Sequence, residues 1–328
     1  MKYFVTGANG LLGSHIVRRL LEQGHEVRAL RRAGSDLSML GDAAGRVEWL
    51  EGDVLDVTSL AQGVAGADYV VHAAAVLYFG SSGLRHQMAK VNIEGTQNVV
   101  NACVEAGTVK KLCYISSVAA IGRGSQRDWV TEEDKWEDGD NHSFYGFTKY
   151  HGELEVWRGV AEGQDAVVVN PALVLGAGNW NAGSLSLFKY GWQGKPLMPQ
   201  GTLNYVDVRD VAEAVLLLLD SGIRNERFIL AGGQVLYKDF FQMLHRRFGK
   251  QPSLIDFQPW MAAIAWRVSA VMSWLGMKPL ITKETAASSR SHTKFDGGKI
   301  ARALPFRYHS LDETLDWACA YFSEASNR

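Results

Sequence analysis

Apolar residues in this chain follow two alternating rhythms. Short runs rich in β-branched and aromatic residues recur at 3–5, 26–30, 47–50, 69–72, 111–115 and 166–170. Between them lie stretches whose apolar positions repeat near the helical period, the first formed by Leu11, Leu12, Ile16, Leu20 and Leu21. Further helical stretches are expected at 57–64, 84–106 and 145–161. Strand cores that are almost continuously apolar, alternating with helices, predict a parallel sheet covered on both faces. Beyond Pro171 the alternation lapses. A loop rich in Gly, Asn and Trp at 176–183 leads to helical runs at 185–192 and 206–219, a strand at 227–230, and a largely helical remainder ending at 311–322. The expected organisation is a doubly wound α/β domain over 1–170, rejoined by a return segment at about 205–231, with a smaller, mostly helical substrate lobe over 171–328.

The bulk properties narrow the class. With 47% hydrophobic and 21% charged residues among 328, the chain reads as an ordinary soluble globular protein. Basic and acidic residues number 34 and 35, so charge offers no case for nucleic acid. Cys103, Cys113 and Cys319 lack zinc-type spacing and read as buried free thiols in a reducing compartment; no metal site is expected. The N-terminus runs straight into a strand without a basic, apolar leader, which fits a cytoplasmic protein. The stretch 260–277 is nearly all apolar between Pro259 and Pro279. It is barely long enough to cross a bilayer and carries Arg267 at its centre, so a helix over an apolar cavity is expected, with no integral membrane segment.

The first strand opens directly onto glycines at 7, 10 and 13. Strand, glycine turn and helix form the Rossmann-type arrangement that a dinucleotide pyrophosphate requires. Gly7 permits the tight turn, Gly10 lets the backbone approach phosphate, and Gly13 lets helix and strand pack closely. Free N–H groups at the helix start (Leu11, Leu12, Gly13, with Asn9 in the turn) then face the negative charge. Where an NAD-binding fold carries an acidic residue after its second strand, this chain has Arg31 and Arg32. Guanidinium groups suit a ribose phosphate, so NADP is expected over NAD, with NAD still possible. Asp53, with Val54 beside it, is placed for the adenine amino group, or simply for a turn. The fourth strand ends in Ala73, Ala74 and Ala75.

Tyr145 and Lys149 stand four apart at a helix start and so share a face. An unperturbed phenol is too weakly acidic to serve as a base at neutral pH, and a nearby ammonium, together with the positive nicotinamide, is expected to bring Tyr145 toward the working range. Lys149 is also suited to the cofactor ribose. The fifth strand ends in Ser116-Ser117, at the edge where parallel sheets place ligands. Ser117 is the expected donor to a substrate carbonyl, with Ser116 as the substitute.

These motifs carry a resemblance. TGANGLLG at 6–13, GDVLD at 52–56, HAAA at 72–75, VNIEGTQN at 91–98, YISSVAAIG at 114–122, YGFTK at 145–149, NPALVLG at 170–176 and YVDVRDVA at 205–212 are similar to those of the extended short-chain dehydrogenase/reductase superfamily, the epimerase/dehydratase group. Arg31 and Arg32 depart from its sugar epimerases and resemble its dihydroflavonol reductase-like and 3β-hydroxysteroid dehydrogenase-like branches. The resemblance implies that Asn92 orders the active site, that Pro171 and Val174 lie against the nicotinamide, and that Asp207 and Asp210 join the lobes and cap a helix. It also implies a homodimer through two helices of each sheet domain.

For the substrate, Tyr78, Phe79, Trp180, Tyr190, Trp192 and Trp260 are candidate walls for an apolar carbonyl compound, each of them equally a candidate core residue. Arg209 and Lys189 are the candidate anchors for a sugar diphosphate. The acidic stretch 131–134 reads as a solvated loop. The leading expectation is an NADP(H)-dependent oxidoreductase on a small apolar substrate. The alternatives are a nucleotide-sugar epimerase or dehydratase, and a non-catalytic NADP-binding sensor.

Overall fold

In the computed structural model, described for residues 1–77, 82–122, 129–137, 142–181, 183–256 and 292–326, the alternating rhythm becomes a layered sheet. Its first strands are β1 (Lys2–Thr6), β2 (Glu26–Arg31), β3 (Glu48–Glu51), β4 (Tyr69–His72) and β5 (Lys111–Ile115). They are connected by α1 (Leu11–Glu22), α2 (Val57–Val64), α3 (Ser82–Ala89) and α4 (Gly95–Ala106). After β6 (Trp129–Val130) and α5 (Phe144–Ala161) come β7 (Ala166–Pro171), β8 (Leu173–Leu175), α6 (Ser186–Trp192), β9 (Leu197–Met198) and β10 (Thr202–Asp207). Then follow α7 (Val208–Asp220), β11 (Glu226–Leu230), β12 (Gly233–Leu236), α8 (Tyr237–Arg247), β13 (Ile255–Asp256) and β14 (Lys294–Phe295). Seven strands form one parallel sheet in the order β11-β7-β5-β4-β1-β2-β3. This is the expected Rossmann-type α/β architecture, and the order reverses between β1 and β4, where such sheets open a crevice.

Each face of the sheet has its own apolar layer. On one, Ile16, Val17 and Leu20 of α1 and Val211, Val215 and Leu218 of α7 close over Val5, Val71, Cys113 and Val167. On the other, Leu60, Val99, Val100 and Val156 cover Phe4, Val70, Leu112 and Val168. Fully burying such a side chain contributes about 1.5–3 kcal/mol, so these layers dominate the stability of the sheet. A third core, including Leu175, Phe188, Leu203, Phe240, Phe241 and Leu244, joins α6, α8 and the helix Leu311–Ser326. Cys103, Cys113 and Cys319 are buried and unpaired.

Two expectations about local structure change. Residues 202–207 form strand β10, paired with β8 and β12, and the helix begins only at Val208. Asp207 sets that boundary, because its side chain accepts from the Arg209 N–H at 2.8 Å as an N-cap. The helix expected over 84–106 is interrupted by a π-helical turn, Lys90–Glu94, which carries the buried Asn92. The apolar stretch 260–277 lies outside the described residues, among which no helix is long and apolar enough to cross a membrane.

A run of hydrogen bonds crosses the carboxyl edge of the sheet. The Thr96 hydroxyl donates to Asn92 O at 2.8 Å, so it must accept from His72 Nε2 at 3.0 Å. His72 Nδ1 then accepts from the Thr6 hydroxyl at 2.7 Å, while Thr6 Oγ1 accepts from the Ala74 N–H at 3.3 Å. Burial holds the fully enclosed His72 down to about 3, with Lys149 acting in the same direction. The unfolded chain therefore takes up this proton first, and folding loses stability as pH falls below 6.5 toward the folded value. Between pH 6.5 and pH 4 the contribution lost is about 3 kcal/mol. Urea unfolding of the protein and of His72→Asn at both pH values should show the pH-dependent loss smaller in the variant by roughly that amount.

Candidate active site

The glycine loop is built by close approach. Gly7 has φ +73°, and a Cβ there would lie 2.6 Å from backbone atoms of Ala73 and Ala74. A Cβ on Gly13 would lie 2.1 Å from Gly7 O, so α1 presses directly on the loop. Gly10 N donates to Gly7 O at 3.0 Å and caps α1 without a side chain, leaving the first N–H groups of α1 open to a ligand. Around this turn runs a cleft lined by Gly7, Asn9, Gly10, Arg31, Arg32 and Asp53, with Val54 and Ala73–Ala75 closing it. Leu30, Ser35, Gly52, Val76 and Val91 also line it. Ser35 had no signal in the sequence beyond following Arg32 in a glycine-containing turn.

The arginines of β2 divide their work. Arg28 donates to Glu48 at 2.8 Å and to the carbonyls of Gln62, Gly63 and Ala65, so it is spent on structure. Arg31 lies 5.5 Å over the Trp49 ring, and Arg32 is exposed at the cleft. Asp53 does both things weighed for it. Its Oδ1 accepts from the Leu55 N–H at 3.0 Å, a turn contact, while the residue lines the cleft. The cradle, the open helix start and two guanidinium groups fit a dinucleotide phosphate chain.

Asn92 lies just behind the cleft. Its Oδ1 accepts from Val76 N at 2.8 Å, and its Nδ2 donates to Val76 O at 2.9 Å and Thr148 Oγ1 at 3.0 Å. Both ends of the amide are engaged, so Asn92 orders the Val76 wall and ties it to α5. Leu11 and Leu12 turn their side chains into the lobe core and the sheet core. Pro171 is buried at the end of β7, and Val174 packs against the sheet core.

On the neighbouring strand end, Ser117 Oγ accepts from the Ala119 N–H at 3.1 Å, capping a short 3₁₀ turn. Ser143 caps α5 through Gly146 N at 3.0 Å and sets Tyr145 in its first turn. Burial pushes the Tyr145 phenol up to about 12, and the hydrogen-bond contact with Ser117 opposes that shift. Lys149 is buried, donates from Nζ to Ile115 O at 2.7 Å, and sits 4.2 Å over the Tyr114 ring. Burial pushes it down to about 7. The expected lowering of the phenol by Lys149 is thus not what this geometry produces, because the ammonium is directed to a backbone carbonyl and an aromatic face. At neutral pH the Tyr145 phenol is protonated and lies beside a serine hydroxyl.

Of the three expected aromatic walls among the described residues, two pack against the lobe core. Trp180 stacks on Phe322 at 5.1 Å, and the Tyr190 hydroxyl donates to Leu197 O at 2.7 Å. Trp192 is exposed beside Trp180. Tyr78, Phe79 and Trp260 lie outside the described residues. Lys189 donates to Asn181, and Arg209 forks onto Asp207 beneath Trp317. Each of the two candidate diphosphate anchors thus has a structural partner of its own. Asp210 receives both the backbone N–H and the ring of His309, joining α7 to the C-terminal segment. The acidic stretch 131–134 is a structural anchor rather than a solvated loop, since Glu132 accepts from the Ile229 N–H at 2.9 Å.

Comparison with known proteins places this geometry in context. Residues 3–231 match the family model described as the NAD dependent epimerase/dehydratase family. A putative dihydroflavonol 4-reductase of Synechocystis sp. is 29% identical over 98% of this chain and 94% of its own. Cinnamoyl-CoA reductase 1 of Petunia hybrida is 32% identical over 76% of this chain and 78% of its own. Among solved structures, gox2253 superposes with a TM-score of 0.83 at 30% identity, covering 98% of each chain. The UDP-glucose 4-epimerase of Thermotoga maritima reaches 0.79 at 22% identity, over 99% of this chain and 100% of its own, and so shares the fold.

Because the glycine loop leaves no room for side chains, Gly13→Ala is expected to cost on the order of 3 kcal/mol by overpacking. Gly45, where a Cβ meets nothing within 4 Å, should accept alanine within about 0.5 kcal/mol. Chemical denaturation of the two variants tests the contrast.

Proposed function

As a member of the NAD-dependent epimerase/dehydratase family, this chain is, we propose, an NADP(H)-dependent oxidoreductase that interconverts a carbonyl and an alcohol on a small apolar substrate. The observation that carries this reading is the presence of two features along the same carboxyl edge of the sheet. A glycine cradle with Arg31 and Arg32 at its rim stands beside a protonated Tyr145 held by Ser117. The reductase names of the relatives support the same direction.

In this reading the first N–H groups of α1 and the loop of Gly7, Asn9 and Gly10 hold the pyrophosphate. Arg31 and Arg32 take the ribose phosphate, and Asp53 and Val54 flank the adenine. The alanines 73–75 and Val76, braced by Asn92, form the inner wall, and Pro171 and Val174 back the far end. When bound, the dinucleotide supplies the hydride. Ser117 donates a hydrogen bond to the substrate carbonyl and fixes its orientation. Tyr145 gives its proton to the oxygen as negative charge develops there. Lys149, as a cation, is suited to hold the cofactor ribose hydroxyls. The sheet domain, rejoined through α7 and β11, binds the dinucleotide, and the segment after Pro171 shapes the substrate side. Phe147 and Leu154, 39% and 42% exposed on α5, are suited to a homodimer contact through α4 and α5.

The decisive experiment is a screen for oxidation of NADPH and NADH with aromatic aldehydes, flavanonols, ketosteroids and nucleotide sugars. Stoichiometric NADPH oxidation with an apolar carbonyl compound is expected. Turnover of a nucleotide sugar without net cofactor consumption, or NADH preference, overturns the assignment. Arg31→Ala combined with Arg32→Ala should raise KM for NADPH at least about tenfold, the loss expected for a charge-assisted phosphate contact. Lys149→Met should remove most turnover while the fold persists. Phe147→Glu combined with Leu154→Glu should yield monomers by mass photometry if the wild type is a dimer.

A further inference from the structure

Beneath the candidate active site lies a carboxylate that the mechanism above does not use. On α5, Tyr145, Lys149 and Glu153 follow one another at four-residue steps and share a face. Glu153 is 1% exposed. Its Oε1 accepts from Asn170 Nδ2 at 2.6 Å. Its Oε2 has no hydrogen-bond donor among the described residues and lies 3.6 Å from Arg227 Nη1. Arg227 reaches in from β11, the edge strand. Its Nε and Nη2 are committed to Glu132 O, and Nη2 also to Asp134 O, which leaves Nη1 for the carboxylate. A buried ion without compensation is too costly to persist, so an ionised Glu153 requires cations nearby. The structure supplies two, Arg227 from β11 and Lys149 from one turn earlier on α5.

We infer that Glu153, fixed by Arg227 and Asn170, is an electrostatic positioning residue whose negative charge holds Lys149 as a cation beneath the active site. The charge relation stands on the structure alone; only its effect on turnover rests on the proposed reductase reading. The groups facing Lys149 are Tyr145 and Glu153 on its own helix, the Tyr114 ring from β5, and His72 from β4. His72 is neutral at working pH, Tyr114 and Tyr145 stay protonated, and Arg227 stands behind Glu153. Among the groups named, Glu153 is therefore the one carboxylate facing this lysine. Burial lowers Lys149 to about 7, and Glu153 opposes that shift. Burial raises Glu153, and the Ser116 hydroxyl, Arg227, Asn170 and Lys149 oppose it in turn.

Glu153→Gln removes the charge and keeps the shape. Its amide oxygen retains the bond from Asn170 Nδ2. The first measurement needs neither substrate nor cofactor. NMR of isotope-labelled lysine follows the titration of Lys149, assigned by its loss in Lys149→Met. The midpoint should fall by about one pH unit in Glu153→Gln, the lower end expected for an adjacent opposite charge. It should fall also in Glu153→Met, an unbranched apolar replacement of similar length, which keeps the inference testable if the first variant does not fold. An unchanged midpoint in the variants overturns the inference.

With a substrate in hand, a one-unit fall from 7 lowers the cationic fraction of Lys149 about tenfold at pH 8 and only about twofold at pH 6. NADPH-dependent kcat of Glu153→Gln should follow those ratios. An equal loss at both pH values indicates a merely structural role and overturns the inference. A shifted midpoint in a protein that shows no NADPH-dependent turnover supports the charge relation and removes the reductase reading.

Discussion

Parallel strands ending side by side leave polar groups that water does not reach, and this fold answers with one connected set of hydrogen bonds. Thr6, His72, Thr96 and Asn92 form it, and the hydroxyl and ring donors along it each have one acceptor. The run fixes the ends of β1 and β4, where Gly7 turns under Ala73 and Ala74. Through Asn92 it fixes Val76 and Thr148, and therefore the height of α5 against the sheet. A buried network is worth most when every member is satisfied, because the cost of one missing partner is then borne by all. The cleft and the Tyr145–Lys149 helix are thus two ends of one rigid assembly.

The π-helical turn gains its meaning from the same network. An uninterrupted helix over 84–106 satisfies the hydrophobic rhythm equally well, and rhythm alone carries no trace of a single widened turn. The widened turn accompanies an Asn92 that is fully enclosed, with its amide spanning Val76 and Thr148. Such turns are uncommon inside helices and concentrate at functional sites.

What was legible in the sequence follows from which features are local. The glycine loop, the strand cores and the Tyr145–Lys149 spacing depend on neighbours a few residues away, and the structure places them as expected. The boundary at 206–208 was not legible, because Val206 and Val208 both fit a helix and the Asp207 cap that separates them is a single side chain. The acidity of Tyr145 was read from its proximity to Lys149, whereas the direction of the ammonium depends on Ile115 O and the Tyr114 ring, contributed by another strand. Trp180 and Tyr190 were ambiguous for a different reason. An aromatic in a helical lobe has the same composition whether it lines a pocket or fills a core, and only Phe322 and Leu197 decide. Arg227 gave no local sign of its role, since its partner on α5 is 74 positions earlier in the chain.

The position of β11 bears on how the molecule is assembled. As a ribosome extends the chain, β1 to β7 and α5 can pack before β11 exists, because β11 is the outermost strand and adds last to β7. Until it docks, Glu153 lacks its guanidinium partner and the carbonyls of Glu132 and Asp134 lack their donor. An incomplete chain therefore holds a misfit of charge at the heart of α5. Vectorial synthesis closes that gap only when the edge strand arrives, so completion of the sheet and completion of the charge balance around Glu153 are one event.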